Sequence, residues 1–219
     1  MAVELHGYRF SVYAWIARFA LCEKGAAYKW VEVNPFAEAV PASYLAMHPF
    51  GRVPTLVHDD FVLYETGAIT RYVDEAFEGP VLQRPAPKDR ARTNQIISVI
   101  DSYAYWPLVR QVFSHGIFRS RTGRPADNAE FRRGLEAAPK VLGALDRLAT
   151  GGDFLVADGL SLADIHLAPM IGYFTSTAEG EALLRQHQRL SVWWSAISRR
   201  GAFAETMPKL PESLPESSV

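Results

Sequence analysis

The sequence predicts two parts with different architectures, an α/β part over residues 1–78 and an all-helical part over residues 89–206. Short apolar runs that are typical of strands occur in the first part. A stretch rich in Gly and Pro, residues 79–88, follows them and is predicted to be a linker. Behind it, apolar residues recur at helical spacing. Residues 207–219 carry no pattern and are expected to form a loose tail.

The composition is that of an ordinary globular protein, with 219 residues, 48% of them hydrophobic, and a net charge of −1. A charge so near zero argues against nucleic acid or an acidic membrane as a partner. The single cysteine excludes an intramolecular disulfide, and there is no secretory or membrane-spanning apolar run, so we expect a cytoplasmic protein. The six histidines are scattered without metal-ligand spacing, and no metal is expected.

The order of elements in the first part is strand, helix, strand, hairpin, helix. Four runs are predicted as strands, at residues 3–6, 28–33, 53–57 and 61–64. Helices are predicted at residues 12–25, ending at Gly25, and from Glu65 onward. This order predicts a thioredoxin-like domain with a mixed four-stranded sheet and flanking helices.

The second part is predicted to be a bundle of helices. They are expected at residues 89–118, 128–149, 181–186 and 191–200, with one more behind residues 161–164. Pro107 lies inside the first of them and predicts a kink. Ser161 and Asp164 have the spacing of a capping box, in which two side chains satisfy the amides at a helix start.

The chemistry of the first part lies at the two ends of its hairpin. The Val53–Pro54 peptide bond can be cis at modest cost, which would turn the backbone of Val53 away from the sheet. Thr66 lies in a first helical turn, where free N–H groups can bind a carboxylate. Glu65 beside it can accept from an ammonium group. A ligand with a peptide bond and a free α-amino acid end would fit, and glutathione is such a ligand.

The stretches HPFGRVPTL and ETGAI resemble the pattern NPFGxVPxL followed by E-S/T-x-A-I of the cytosolic glutathione transferases. The stretch SLADI is similar to the C-terminal half of the same family. The resemblance covers residues 3–76 of the first part. It implies a detoxifying, homodimeric enzyme that conjugates the glutathione thiolate to small hydrophobic electrophiles.

The resemblance also implies a hydroxyl that stabilises the thiolate, and Ser11 stands where serine-type members place it. The stretch from residue 15 to residue 21 is similar to the zeta-like pattern, but Val12 and Tyr13 stand where that class has Ser and Cys. The plain alternative for Ser11 is a helix N-cap. Tyr8 is the alternative source of the hydroxyl.

Four residues are assigned to glutathione: Arg52, Val53, Glu65 and Thr66. Arg52 stands where many members have Gln and could pair with the glycyl carboxylate, or it could be a solvated surface residue. Helix capping is the alternative role for Glu65 and Thr66. Asp101 could reach the γ-glutamyl amine of a neighbouring subunit, or it could be an acid on a helix surface.

The apolar electrophile is assigned to five side chains: Phe10, Tyr103, Trp106, Arg110 and Phe113. The last four share one face of the predicted helix at three- to four-residue spacing. An aromatic stripe of this kind can equally belong to the core. Two alternatives to the transferase stay open, a non-catalytic module that binds glutathione or proteins, and a glutathione-dependent peroxidase or isomerase.

Overall fold

The computed structural model describes residues 2–212 and divides them into two compact units. The first unit runs to Gln83 and also includes Gly201–Pro208. The second comprises Arg84–Arg200 and the segment from Lys209. The α/β part and the all-helical part are both present, so the predicted fold class is confirmed.

The first unit is built on a mixed sheet. Its strands are β1 (Val3–Gly7), β2 (Lys29–Glu32), β3 (Thr55–His58) and β4 (Phe61–Tyr64), in the order β2-β1-β3-β4. β1 is parallel to β2 and antiparallel to β3, and β3 is antiparallel to β4. The third strand starts at Thr55 and not at Val53, because Pro54 has no N–H to contribute to a ladder.

Helices cover the sheet of the first unit: α1 (Val12–Glu23), α2 (Ala42–Met47) and α3 (Thr66–Ala76). Trp15 and Phe19 of α1 are fully buried. The buried ammonium of Lys24, after α1, donates to the carboxylate and carbonyl of Asp74 on α3 and to the carbonyl of Pro80. The same carboxylate accepts from the amide of Leu82, so this buried pair ties two helices to the segment that leaves the unit.

The second unit consists of helices. They are α4 (Pro87–Val99), a π-helical segment (Ile100–Phe118), α5 (Arg119–Arg121), α6 (Asn128–Leu148), α7 (Leu162–Phe174), α8 (Ala178–Leu184) and α9 (Gln188–Ile197). The sequence predicted one kinked α-helix over residues 89–118. The structure instead changes its winding at Ile100 and carries Pro107 inside the π-helical segment.

The predicted capping box is present at the start of α7. The fully buried carboxylate of Asp164 accepts from the amide and hydroxyl of Ser161, the amide of Leu155 and the indole N–H of Trp193, at 2.6–2.8 Å. Burial raises the pKa of Asp164, and the four donors oppose that rise. This residue therefore joins a loop and two helices of the second unit.

The last helix, α10 (Gly201–Thr206), belongs to the first unit, whereas the sequence analysis assigned residues up to 206 to the helical part. The Phe203 ring lies 5.0 Å from that of Trp15 and 5.7 Å from that of Phe19. The indole N–H of Trp15 donates to the hydroxyl of Thr206 at 3.1 Å. Contacts between residues far apart in sequence decide this assignment, and periodicity alone does not report them.

Residues 207–212 carry no helix or strand, and the rest of the predicted tail lies outside the described residues. Within residues 2–212, no helix is both long enough and apolar enough to cross a membrane.

Candidate functional site

The register of the sheet brings three segments to one end of the first unit. His6, near the end of β1, pairs with Thr55, at the start of β3, and Thr55 pairs with Tyr64, at the end of β4. The loop after β1, the turn before β3 and the start of α3 therefore leave the sheet from neighbouring positions. Those segments contain Ser11, Arg52 to Pro54, and Glu65 with Thr66, which the sequence predicts to act on one ligand.

Ser11 is the N-cap of α1. Its hydroxyl oxygen accepts from the amide of Ala14 at 3.3 Å, and its own amide donates to the carbonyl of Tyr8 at 2.8 Å. A serine hydroxyl has one donor and two acceptor sites. The capping bond uses one acceptor site, and the O–H has no acceptor among residues 2–212. The cap role and a donor role toward a bound anion are therefore compatible.

Tyr8, the alternative hydroxyl, lies in an aromatic cluster of the first unit. Its ring meets Phe10 edge-on at 5.4 Å and Phe36 edge-on at 5.9 Å. Phe36 is 54% exposed. Phe10 was predicted from the sequence but Phe36 was not, because a lone aromatic residue in a loop carries no periodic signal.

The Val53–Pro54 peptide bond is cis, in agreement with the sequence prediction for Pro54. The hydroxyl of Tyr44, on α2, donates to the carbonyl of Arg52 at 2.6 Å and lies 3.0 Å from the hydroxyl of Thr55. Tyr44 therefore fixes both sides of the turn. Burial raises the pKa of its phenol, which keeps the donating proton in place.

Val53 and Arg52 present their groups outward from this turn. The backbone N–H and C=O of Val53 have no hydrogen-bond partner among residues 2–212 and are absent from the ladders of the sheet. The Arg52 side chain is exposed and forms no ion pair with a carboxylate of that part of the chain. Tyr44 was missed by the sequence analysis, since it lies before the recognised motif.

Glu65 begins α3 in an unusual backbone conformation, with φ 71° and ψ 116°. A non-glycine residue there costs about 1–3 kcal/mol and persists only where its surroundings hold it. The Glu65 side chain is exposed and makes no capping bond, whereas Thr66 is buried. Within residues 2–212 the amides of Thr66 and Gly67, in the first turn of α3, have no hydrogen-bond partner, so they remain available to an anion.

His48 is a further residue that the sequence analysis left without a role. It follows α2, is 2% exposed, and its ring centroid lies 4.6 Å from that of Tyr64. Burial lowers the pKa of His48, and the nearby Arg52 lowers it further while Glu65 opposes the shift. The imidazole is therefore neutral at neutral pH.

In the second unit, the four side chains assigned to the electrophile do not share one face. Tyr103 and Trp106 are 64% and 59% exposed, and the Arg110 guanidinium lies 6.0 Å from the Trp106 ring centre. Phe113 is buried and stacks on Tyr173 at 3.9 Å. The π-helical winding explains the difference, because its i→i+5 pattern changes the angle between residues spaced three or four apart. Asp101, on the same segment, is exposed.

No group of three or more His, Cys, Asp or Glu side chains within residues 2–212 is arranged to hold a metal ion. The site residues described above offer hydroxyls, main-chain amides, the exposed carboxylate of Glu65 and the exposed guanidinium of Arg52. Together these groups suit a small zwitterionic peptide.

Comparison with known proteins gives a consistent result. The family model described as glutathione S-transferase, N-terminal domain, matches residues 5–81, and the model for the C-terminal domain of the same family matches residues 128–194. Glutathione S-transferase F13 of Arabidopsis thaliana is 32% identical over 216 residues, which cover 96% of this chain and 97% of that protein. Glutathione S-transferase F9 of the same plant is 31% identical over 196 residues, covering 88% and 91%.

Solved structures are similar over nearly the whole chain. Glutathione S-transferase III in its apo form has a TM-score of 0.83 and 28% identity, covering 98% of this chain and all of that chain (100%). Glutathione S-transferase-I bound with the ligand lactoylglutathione has a TM-score of 0.81, covering 94% and 98%, and at 23% identity it supports the fold. By both halves of its sequence and by its fold, this chain belongs to the glutathione S-transferase family.

Proposed function

We propose that this chain joins the sulfur of glutathione to small apolar electrophiles, with Ser11 stabilising the thiolate. The observation that carries the proposal is the convergence of three ligand-binding segments at one end of the sheet. Membership of the transferase family supports it. Each segment offers a group that matches a different part of the tripeptide.

The tripeptide would be held along its whole length. The open backbone of Val53 suits the cysteinyl peptide group, in the manner of one added strand. The first-turn amides of α3 at Thr66 suit the γ-glutamyl carboxylate, and the exposed Glu65 carboxylate suits the adjacent ammonium. Arg52 suits the glycyl carboxylate, because its guanidinium is exposed and has no carboxylate partner in the described chain.

The chemical step needs an ionised sulfur. A free thiol has a pKa of about 8.5, so only a few per cent is thiolate at neutral pH. Lowering that pKa by about two units takes about 2.7 kcal/mol. The O–H of Ser11, which has no acceptor within residues 2–212, and the N-terminal end of α1 can both stabilise the anion. Their combined stabilisation free energy is of that magnitude. The thiolate then forms a bond to the electrophilic carbon, the leaving group departs with its electron pair, and the thiol proton goes to solvent.

Each unit, taken by itself, has aromatic side chains that suit an apolar electrophile. In the first unit they are Phe10 and Phe36, which both meet the ring of Tyr8 edge-on. In the second unit they are Tyr103 and Trp106, with Arg110 beside the latter. Phe113 stays in the proposal as a support only, since it is buried in a stack.

Two steps test the proposal. The purified protein is titrated with glutathione by calorimetry and is then assayed for conjugation of 1-chloro-2,4-dinitrobenzene by absorbance. Binding with turnover is expected. Binding without turnover would favour the non-catalytic module, and turnover of a hydroperoxide alone would favour the peroxidase. Absence of any binding heat would overturn the glutathione site itself.

The proposal includes the oligomeric state of the protein and its location in the cell. We expect a homodimer, as in the family that the sequence resembles, and a cytoplasmic protein, given one cysteine in the chain. Sedimentation equilibrium at micromolar concentration tests the first, where a mass of 24.4 kDa would mean a monomer. Fractionation of cells that produce the protein tests the second.

A further inference from the structure

The main chain of His48 holds one half of the proposed glutathione site, the turn that contains Arg52 and Val53. Its amide donates to the carbonyl of Tyr44 at 2.9 Å, and its carbonyl accepts from the amide of Gly51 at 2.9 Å. The second bond closes the turn that leads into Arg52. A displacement of His48 would therefore move the residues expected to hold the cysteinyl and glycyl parts of the tripeptide.

The imidazole ring reaches the other half. It lies against Tyr64 at 4.6 Å, with an interplanar angle of 31°, and meets Phe50 edge-on at 6.1 Å. Tyr64 is the last residue of β4 and immediately precedes Glu65, whose φ of 71° needs support from its surroundings. The ring thus packs against the side chain of the residue that precedes Glu65.

His48 contributes to the site through the packing of its flat ring and not through hydrogen bonds of its Nδ1 atom. Its Nδ1 atom is buried and has no hydrogen-bond partner among residues 2–212. A buried polar atom without a partner costs stability. The charged groups that face the ring, Arg52 and Glu65, have opposite signs, and the ring itself is neutral because burial lowers its pKa. The ring therefore acts through its packing, between the end of α2, the turn before Arg52 and the end of β4.

We propose that His48 is a positioning residue, which sets the distance between the Arg52–Val53 turn and the Glu65 backbone that glutathione spans. The family pattern quoted above has Asn at this place, which has no ring to stack on Tyr64. This chain therefore uses a ring where the pattern has an amide. The inference rests on the proposed glutathione site and adds a residue that does not touch the ligand.

The test compares His48→Leu, which removes the flat ring but keeps bulk, with His48→Phe, which keeps a ring and removes the nitrogen. His58→Leu is the matched control. His58 is a partly buried histidine of the first unit, hydrogen-bonded to Tyr72 and stacked on Phe77, but it ends β3 at the far end of the sheet. Steady-state kinetics are measured with each substrate varied in turn, together with Tm.

We expect His48→Leu to raise the KM for glutathione about fivefold, with the KM for 1-chloro-2,4-dinitrobenzene and kcat changed less than about twofold. His48→Phe should restore the KM for glutathione to within about twofold of the parent and should raise Tm, since an unpartnered nitrogen is removed. His58→Leu should lower Tm and leave both KM values unchanged.

Several results would overturn the positioning role. One is a KM for glutathione that is unchanged in His48→Leu, and another is an equal rise in His58→Leu, which would mean general loosening. A third is a raised KM in a folded His48→Phe, and this variant decides the matter if His48→Leu does not fold. If the parent protein binds no glutathione, the proposed function itself fails, and calorimetry on the parent separates that outcome from the others.

Discussion

The two units place their candidate residues by different physical means. In the first unit, backbone pairing of β1, β3 and β4 brings three segments together at one end of a sheet. In the second unit, side-chain direction along a π-helical segment separates Tyr103 and Trp106, at the surface, from Phe113, in the core. Strand register is set by hydrogen bonds between main chains, whereas the faces of a helix depend on its winding, which a single sequence reports poorly.

The largest expected effect concerns the core of the second unit. Asp164→Ala should lower the free energy of unfolding by about 4 kcal/mol, because the buried donors of Ser161, Leu155 and Trp193 lose their common acceptor. Urea unfolding of the variant measures it. The matched control is Asp153→Ala, an exposed acid of the same unit, which should change stability by less than about 0.5 kcal/mol. Equal effects in the two variants would refute the central role of Asp164.

A second pair of variants separates core from surface along the π-helical segment. Phe113→Ala should cost about 3 kcal/mol of stability, because the ring leaves a cavity beside Tyr173. Trp106→Ala should cost less than about 0.5 kcal/mol, since the side chain is mostly exposed, and should raise the KM for an apolar electrophile about threefold. Urea unfolding measures the stability of both variants, and steady-state kinetics measure their KM for the electrophile. An electrophile KM raised only in Phe113→Ala would reverse the assignment.

A third pair compares two helix N-caps, one from each unit. Ser11→Ala should raise the pKa of the bound glutathione thiol by about 1.5 units, since the N-terminal end of α1 remains, and lower kcat/KM near pH 6.5 about 15-fold. Ultraviolet thiolate absorbance of the complex, followed against pH, measures the shift. Asp127→Ala removes the N-cap of α6, which accepts from the amides of Ala129 and Glu130, and should change Tm by only a few degrees, with thiolate absorbance unaltered.

If Ser11→Ala behaves like Asp127→Ala, with a slightly lower Tm and an unchanged thiolate absorbance, then Ser11 serves only as a helix N-cap. Tyr8→Phe would then be the next variant, since Tyr8 is the alternative hydroxyl in the same loop. A loss of thiolate absorbance in Tyr8→Phe would move the assignment to that residue.

The smallest expected effect concerns Arg52. Arg52→Ala should raise the KM for glutathione about fivefold and leave kcat near its parent value, because the contact is to a part of the ligand that does not react. Arg52→Lys should give an intermediate KM, since it keeps the charge but not the two-pronged geometry. The effect should shrink in high salt. A KM that does not respond to either substitution would return Arg52 to the solvated surface.

Much of the first unit could be predicted because local rules and tertiary contacts agree there. Pro54 and Glu65 limit where β3 can begin and where β4 can end. In β1, alternation sets which residues are buried. The capping box of Ser161 and Asp164 was predictable for the same reason, since both of its bonds are local in sequence. The short helix α2 was not predicted, because its six residues carry too little periodic signal.

The sequence by itself determined the fold class, the capping box and the order of the three segments proposed to bind glutathione, since these depend on neighbouring residues. Only the tertiary structure decided that α10 packs on α1, that Phe113 lies in the core and that the ring of His48 supports Tyr64. These three features are contacts between side chains far apart along the chain. Their energies depend on how the elements pack, and no local pattern of residues encodes that packing.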